Sequence, residues 1–226
     1  MPQTLSVVML GASGAVGGQV AKTLMAMPEL QRLSLLNRRS LPELTGTSVT
    51  QHTVDVLNPA TYQTQLPGHD CAVCTLGVGE PSTMSKEEFV RIDKDAVITF
   101  ATACKAAGIR HFELLGSVGA HSKSSAFYLR TKGELQDALI ALNFERLSLF
   151  QPSMILTPTN RYGFSQALVL AFWPKLSGLL FGRLRKYRGI RVETLGAALA
   201  KNLMTTGQGV EILQWEQFMK VMGSEK

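Results

Sequence analysis

The stretch that decides the fold of this chain is Gly11-Ala12-Ser13-Gly14-Ala15-Val16-Gly17. It follows an apolar run at residues 5–10 and leads into residues 18–25, where apolar side chains recur at helical spacing. A glycine pattern alone is weak evidence for a binding site. Here it lies between a predicted strand and a predicted helix, and this context makes it informative. Glycines permit a tight turn, and they let backbone N–H groups and the positive end of the helix approach a phosphate. The stretch therefore predicts a turn that binds a pyrophosphate, and the alternative is a glycine-rich loop without a ligand.

The rest of the chain is typical of one α/β domain. It has 226 residues, of which 45% are hydrophobic and 18% charged, as expected for a globular protein with a buried sheet. We predict a single domain over residues 1–226, a doubly wound parallel sheet of the Rossmann type with helices on both faces. A small C-terminal pocket region, residues 151–191, is expected to form the substrate lid and the pocket wall.

Apolar runs of strand length alternate with helical patterns along the chain. Ser85 and Glu88 have the spacing of a capping box, which predicts a helix from there to about residue 107, with Gly108 at its C-terminal end. Strands are expected at residues 5–10, 33–36, 49–54, 71–76, 110–115, 145–150 and 210–213, and further helices around Tyr128 and at residues 193–204 and 215–222.

Arg38 and Arg39 follow the second predicted strand, beside the expected position of the adenosine ribose. An acidic residue there would favour NAD, whereas a guanidinium can pair with the 2′-phosphate of NADP. This chain has two arginines and no acid at that point, so we predict a preference for NADP(H) over NAD(H). The alternative is that both arginines are solvated turn residues.

Further cofactor contacts are expected where the third and fourth strands end. Asp55 is placed to accept a hydrogen bond from the adenine amino group, and Val56 to pack against the ring; alternatively, Asp55 caps the turn before Pro59. Leu76, Gly77 and Val78 follow the fourth strand, where a glycine lets the chain pass close to the ribose and the pyrophosphate.

Ser117, Tyr128 and Lys132 form a candidate proton-transfer set. Tyr128 and Lys132 are four residues apart, which places them on one face of a helix, and Ser117 follows the fifth predicted strand. A nearby ammonium favours the phenolate form of a tyrosine. Lys132 could also hold the nicotinamide ribose, and Ser117 could orient a substrate oxygen. The alternative is an ordinary tyrosine–lysine pair on a helix surface.

Composition favours some function classes over others. Cys71 and Cys74 form a C-x-x-C pattern inside a predicted buried strand, which favours packing over redox or metal chemistry, so we expect no metal. The net charge of +6 is concentrated partly in residues 183–188, interpreted as a solvated loop. The first residues lack a signal pattern and no apolar run is long enough to span a bilayer, so we expect a cytoplasmic protein without a transmembrane segment.

These motifs together resemble the atypical branch of the short-chain dehydrogenase/reductase superfamily, near its Tat-interacting subgroup. The glycines at 11, 14 and 17, Ser117, and the stretches 90–93, 111–117 and 128–134 carry the resemblance. It implies a Rossmann fold, NADP binding, catalysis by Ser117, Tyr128 and Lys132, and a contact of Pro152 with the nicotinamide. The chain departs from the pattern at Gln151, where relatives usually have arginine.

Two functions follow from this interpretation. The first is an NADP(H)-dependent oxidoreductase that transfers a hydride to or from a small carbonyl or alcohol. The second is a non-catalytic NADP(H)-binding sensor that acts through a protein partner. We expect no nucleic acid as a partner and either a monomer or a homodimer. Peripheral membrane contact through residues 167–173 and 183–188 is a weaker alternative.

Overall fold

The computed structural model describes residues 4–78, 84–157 and 180–223. Its strands are β1 (Leu5–Leu10), β2 (Leu30–Asn37), β3 (Val49–Thr53), β4 (Cys71–Cys74), β5 (His111–Leu115), β6 (Arg146–Phe150), β7 (Ile155–Leu156), β8 (Ile190–Arg191) and β9 (Gly209–Leu213). Seven of them form a parallel sheet in the order β3-β2-β1-β4-β5-β6-β9, and β7 pairs with β8 separately. The strand order reverses between β1 and β4, so a crevice opens at their carboxyl ends.

Helices cover both faces of the sheet, which confirms the predicted doubly wound architecture. They are α1 (Ala15–Met25), α2 (Lys86–Val90), α3 (Ala96–Ala106), α4 (Phe127–Ala141), α5 (Val192–Asn202) and α6 (Trp215–Val221). Side chains of α1, α5 and α6 pack in one apolar cluster, and side chains of α3 and α4 in another.

The central strand β1 is apolar except at Ser6, because both of its faces are covered. In β1, Val7 and Met9 belong to the cluster under α1, whereas Val8 and Leu10 belong to the cluster under α3. All six residues of β1 are buried. A largely apolar strand of this kind is typical of the middle of a sheet, and β1 lies there, directly ahead of the glycine turn.

The predicted helix from Ser85 onward is interrupted. The Ser85 hydroxyl accepts a hydrogen bond from the Glu88 N–H at 3.1 Å, as the sequence predicted, but α2 ends at Val90. A π-helical turn, Arg91–Asp95, joins it to α3. The prediction of one continuous α-helix was therefore wrong, because an extra residue enters the hydrogen-bond ladder here. Asp93 lies within this turn and is its buried residue.

The C-terminal pocket region is described in part. Residues 151–157 and 180–191 include β7 and β8, while the expected pocket wall at residues 158–179, with the apolar stretch 167–173, lies outside the described residues. Among the residues that the structure describes, no helix is both long and apolar enough to cross a membrane.

Candidate functional site

The glycine turn is packed tightly against the end of β4. Gly11 has a φ of +99°, and a Cβ there would lie 2.6 Å from the backbone of Thr75 and Leu76. A Cβ on Gly17 would overlap the carbonyl oxygen of Gly11. Thr75 Oγ1 donates a hydrogen bond to that same carbonyl oxygen at 3.1 Å. Glycine is thus required at positions 11 and 17 for the turn to lie between β1 and β4.

The start of α1 is suited to an anion. Gly14 is its N-cap residue, no side chain caps the helix, and the first turn contains no acidic residue. The backbone N–H groups of a first helical turn have no partner within the helix, and they carry the positive end of its dipole. Residues 14–17 line a cleft of about 330 Å³. This arrangement fits a pyrophosphate.

Several elements meet at this cleft, which lies at the carboxyl edge of the sheet. Its remaining lining residues are Thr75, Leu76, Gly77 and Val78 after β4, Asp93 of the π turn, Leu115 and Gly116 after β5, Tyr128 and Lys132 of α4, and Ser153, Met154, Ile155 and Thr157 near β7. The structure thus brings the predicted glycine turn, the chain after β4 and the predicted tyrosine–lysine pair into one cleft.

Tyr128 and Lys132 lie one above the other on α4, as their spacing predicted. The Lys132 Nζ lies 6.0 Å from the centroid of the Tyr128 ring, which in turn packs 5.7 Å from the ring of Phe89. Tyr128 is 36% exposed, whereas Lys132 is buried. The phenol is therefore accessible from the cleft, and the ammonium lies behind it.

Asp93 is a member of this site that sequence reasoning missed. Its carboxylate forms an ion pair with Lys132 Nζ and accepts a hydrogen bond from the Val78 N–H at 2.6 Å. The sequence held a signal, because Asp93 stands among the buried positions Phe89, Ala96 and Phe100 at helical spacing. An acidic residue on an otherwise apolar helix face indicates a buried partner, but nothing local identifies that partner as Lys132.

Ser117 and Pro152 lie close to the cleft without being among its lining residues. The Ser117 hydroxyl donates to the Val118 carbonyl at 3.4 Å, and the Val118 N–H donates to the Pro152 carbonyl at 3.0 Å. Their neighbours Gly116 and Ser153 do line the cleft. The roles assigned to Ser117 and Pro152 stay predictions.

Arg38 and Arg39 are exposed directly after β2, so both guanidinium groups are free to meet an anion from solvent. The residue before them, Asn37, is buried, and neither polar atom of its side chain has a hydrogen-bond partner among the described residues. Buried polar groups are normally satisfied. An orphaned carboxamide at the carboxyl end of β2 therefore fits the edge of a nucleotide.

The predicted adenine contacts at Asp55 and Val56 have local structural roles. Asp55 Oδ1 accepts a hydrogen bond from the Leu57 N–H at 3.0 Å, which is the turn-forming alternative. Val56 is buried in the apolar cluster under α3. Whether either residue also meets an adenine stays a prediction.

Gln151 belongs to a buried chain of amides. Its Nε2 donates to Gln136 Oε1 at 3.1 Å, and its Oε1 accepts from Gln214 Nε2 at 3.0 Å. The side chain is thus hydrogen-bonded to α4 and to the residue that precedes α6, and it is not among the residues that line the cleft. Gln151 is therefore a neutral side chain whose amide is hydrogen-bonded away from the cleft.

The three cysteines have structural environments. Cys71, Cys74 and Cys104 are free and buried, and burial raises the pKa of the Cys71 and Cys74 thiols to about 12. Within the described ranges, no group of three or more histidine, cysteine or acidic side chains could hold a metal ion.

These features define a dinucleotide-binding Rossmann domain. The chain belongs to the NAD(P)H-binding family, whose model matches residues 11–145. It is 33% identical to the protein HTATIP2 of Rattus norvegicus over 94% of this chain and 87% of that protein, in agreement with the resemblance to the Tat-interacting subgroup. It is also 30% identical to the mitochondrial protein FMP52 of Lodderomyces elongisporus, covering 97% of this chain and 94% of that protein.

Solved structures share the fold at low sequence identity. MoeE5 in complex with UDP-glucuronic acid and NAD superposes with a TM-score of 0.70 at 16% identity, over 96% of this chain and 82% of that one. The oxidoreductase ylbE from Lactococcus lactis superposes with a TM-score of 0.67 at 15% identity, over 97% of both chains. These likenesses concern the fold alone.

The predicted cytoplasmic location is wrong in the light of these relatives. FMP52 proteins of Candida albicans, Lodderomyces elongisporus and Debaryomyces hansenii are named mitochondrial. The prediction rested on the absence of a signal pattern in the first residues, and location is not encoded in the fold or in the cleft.

Proposed function

We propose that the protein is an NADP(H)-dependent oxidoreductase that transfers a hydride to or from a small carbonyl or alcohol. One observation carries the proposal: a single cleft contains the start of α1 on one side and the Tyr128–Lys132 pair on the other. The first feature suits a pyrophosphate and the second suits proton transfer, and an oxidoreductase of this type needs both.

The residues of the cleft have distinct roles in this proposal. When bound, the nicotinamide supplies or accepts the hydride at the substrate carbon. In the reducing direction, the Tyr128 hydroxyl gives its proton to the carbonyl oxygen, and Lys132 stabilises the phenolate that results. Ser117 hydrogen-bonds the substrate oxygen, and residues 11–17 and 76–78 surround the cofactor.

The proposed preference for NADP(H) is tested by titrating the purified protein with NADPH and NADH and following nucleotide fluorescence. We expect tighter binding of NADPH, and a loss of about tenfold or more in NADPH affinity in Arg38→Ala or Arg39→Ala, because a hydrogen bond to a charged group contributes roughly 1.5–3 kcal/mol. Arg110→Ala is the matched control, since Arg110 is an exposed arginine at the opposite edge of the sheet.

The possible outcomes separate the parts of the proposal. Equal affinity for the two nucleotides would show that the arginines do not read the 2′-phosphate. Failure to bind either nucleotide would overturn the cofactor assignment.

Turnover is tested by following NADPH consumption with a panel of aldehydes and ketones. We expect a substrate-dependent rate that falls by about a hundredfold or more in Tyr128→Phe, in line with the contribution of a general acid. Leu129→Met, next to the tyrosine, serves as the control. A Tyr128→Phe variant as active as the unaltered protein would contradict the role of Tyr128.

The alternative is a cofactor sensor that acts through a protein partner. The buried amide chain of Gln151 favours it, because this position offers no charge to the cleft. The name of the rat relative points in the same direction. NADPH binding without consumption across the carbonyl panel would favour the sensor over the enzyme.

A further inference from the structure

The carboxylate of Asp93 contacts two separate segments that line the cleft. Asp93 Oδ1 pairs with the Lys132 ammonium on α4, while Oδ2 accepts the Val78 N–H from the chain after β4. Asp93 is only 1% exposed, and it reaches both partners from the π turn between α2 and α3. The contact therefore fixes the distance between two segments that are 54 residues apart in sequence, since they stand at positions 78 and 132.

We propose that Asp93 is a positioning residue, which holds the Lys132 ammonium and the chain after β4 in the relative placement that NADP(H) binding requires. This inference rests on the proposed function, because it concerns the same cleft. It assigns to Asp93 an effect that is exerted through Lys132 and Val78 rather than by contact with the reacting atoms.

The chemistry of the two groups supports this role. An ammonium has three N–H donors, so one can be held by Asp93 while two remain for the cofactor ribose and the phenol oxygen. Because both oxygens of a carboxylate accept hydrogen bonds, Asp93 satisfies Lys132 and Val78 at the same time. A buried ammonium without a partner is strongly unfavourable, which keeps the lysine in this place.

The Asp93–Lys132 ion pair is packed closely against Gly77. A Cβ on Gly77 would lie 3.3 Å from Asp93 Oδ1 and 3.8 Å from Lys132 Nζ. A side chain on Gly77 would thus press on the carboxylate. Gly77 leaves the room that the ion pair occupies.

Asp93→Asn tests the proposal at nearly constant volume. Lys132 and Val78 donate to different oxygens of Asp93, so in the carboxamide one of the two donors faces an NH2 group instead of an acceptor. We expect NADPH affinity, measured by fluorescence titration, to fall roughly tenfold, as for the loss of one hydrogen bond to a charged group.

A neighbouring ion pair provides the matched control. Lys94 Nζ contacts Glu134 Oε2 at 2.8 Å, and this pair joins the same π turn to the same helix without lining the cleft. We expect Glu134→Gln to change NADPH affinity by less than about twofold, because this partly exposed pair does not line the cleft. An equal loss in Glu134→Gln and Asp93→Asn would mean that Asp93 only ties the turn to α4, and would overturn the proposal.

A double variant shows whether Asp93 acts through Lys132. In a Lys132→Met background, we expect Asp93→Asn to cause a much smaller loss of NADPH affinity than it causes in the unaltered protein. An undiminished tenfold loss in that background would overturn the proposal. If Asp93→Asn does not fold, Gly77→Ala replaces it, since its Cβ disturbs the same pair, and unchanged affinity in that variant would also overturn the inference.

The failure of the inference and the failure of the proposed function have different signatures. An unaltered protein that binds neither NADPH nor NADH would overturn the proposed function and this inference with it. Binding by the unaltered protein that Asp93→Asn leaves unchanged would overturn the inference alone.

Discussion

Glu113, in the middle of β5, is a fully buried carboxyl group in a polar cluster away from the cleft. Asn202 Nδ2 donates to its Oε1 at 2.7 Å, and His111 Nε2 lies 3.6 Å from the same oxygen. Burial raises the pKa of Glu113 to about 8, and burial lowers the pKa of His111 to about 3. Both side chains are therefore predominantly neutral in the folded protein at pH 7.

This cluster predicts a loss of stability as the pH rises through neutrality. Between its ordinary pKa of 4.5 and about 8, Glu113 keeps a proton in the folded state that the unfolded chain has lost. The free energy of unfolding therefore falls with rising pH, by about 1.4 kcal/mol per unit. His111 opposes this only below 6.5, its ordinary pKa. From pH 6.5 to 8, we expect a net loss of roughly 1–1.5 kcal/mol in urea unfolding, because the slope flattens as Glu113 ionises near pH 8.

The variant Glu113→Gln isolates this effect, because it cannot ionise. Its free energy of unfolding should change little between pH 6.5 and 8, whereas that of the unaltered protein declines. Glu145→Gln, an exposed acid beside β6, is the control and should decline as the unaltered protein does. A parallel decline in Glu113→Gln would contradict the assignment of the effect to Glu113.

Asn37 carries a second prediction at the scale of one residue. A buried carboxamide without a partner destabilises the fold by roughly 1–3 kcal/mol. The variant Asn37→Leu, of similar volume, should therefore raise the free energy of unfolding, while NADPH affinity falls if the amide meets the nucleotide. Urea unfolding and nucleotide titration measure the two effects, and a destabilised Asn37→Leu would show that the amide is satisfied in solution.

At the scale of elements, the location of the C-x-x-C pattern in β4 determines whether its two cysteines can react with each other. Residues three apart on a strand point to opposite faces. Accordingly, Cys71 packs in the cluster under α1 and Cys74 in the cluster under α3. The sheet itself separates the two sulfurs.

Thiol reactivity checks this placement. Because Cys71, Cys74 and Cys104 are buried, we expect almost no reaction with a thiol reagent in the native protein and reaction of all three thiols in denaturant. The comparison is made at pH 8 without prior reduction. A native protein that releases two thiols only after reduction would indicate a disulfide and contradict the buried-strand assignment.

The strands and helices show which parts of the fold can be predicted from the sequence. Apolar runs and glycines predicted seven strands close to the positions of the seven sheet strands, because apolar runs of strand length leave a local signal. The π turn was missed, since the apolar spacing of Phe89, Ala96 and Phe100 is close to that of a straight helix. The Asp93–Lys132 pair was missed because its partners are 39 residues apart, and only the folded chain brings them together.

At the scale of the whole molecule, the sheet divides the core into two layers. Val20 of α1 and Val97 of α3 are both fully buried, in different clusters on opposite faces. We expect Val20→Ala and Val97→Ala each to lower the free energy of unfolding by roughly 1.5–3 kcal/mol. Because the sites share no cluster, the double variant should equal the sum within about 0.5 kcal/mol in urea unfolding. A larger deviation would mean that the packing of the two faces of the sheet is energetically coupled.

The short pairing of β7 with β8 has a consequence for how such a protein can change over generations. Ile155 pairs with Ile190 and Leu156 with Arg191, so the chain leaves and re-enters the described fold at neighbouring positions. Both ends of the intervening sequence are thereby anchored at one place on the Rossmann core. Descendants of one ancestor can therefore differ in that sequence while the two anchoring strands keep their position.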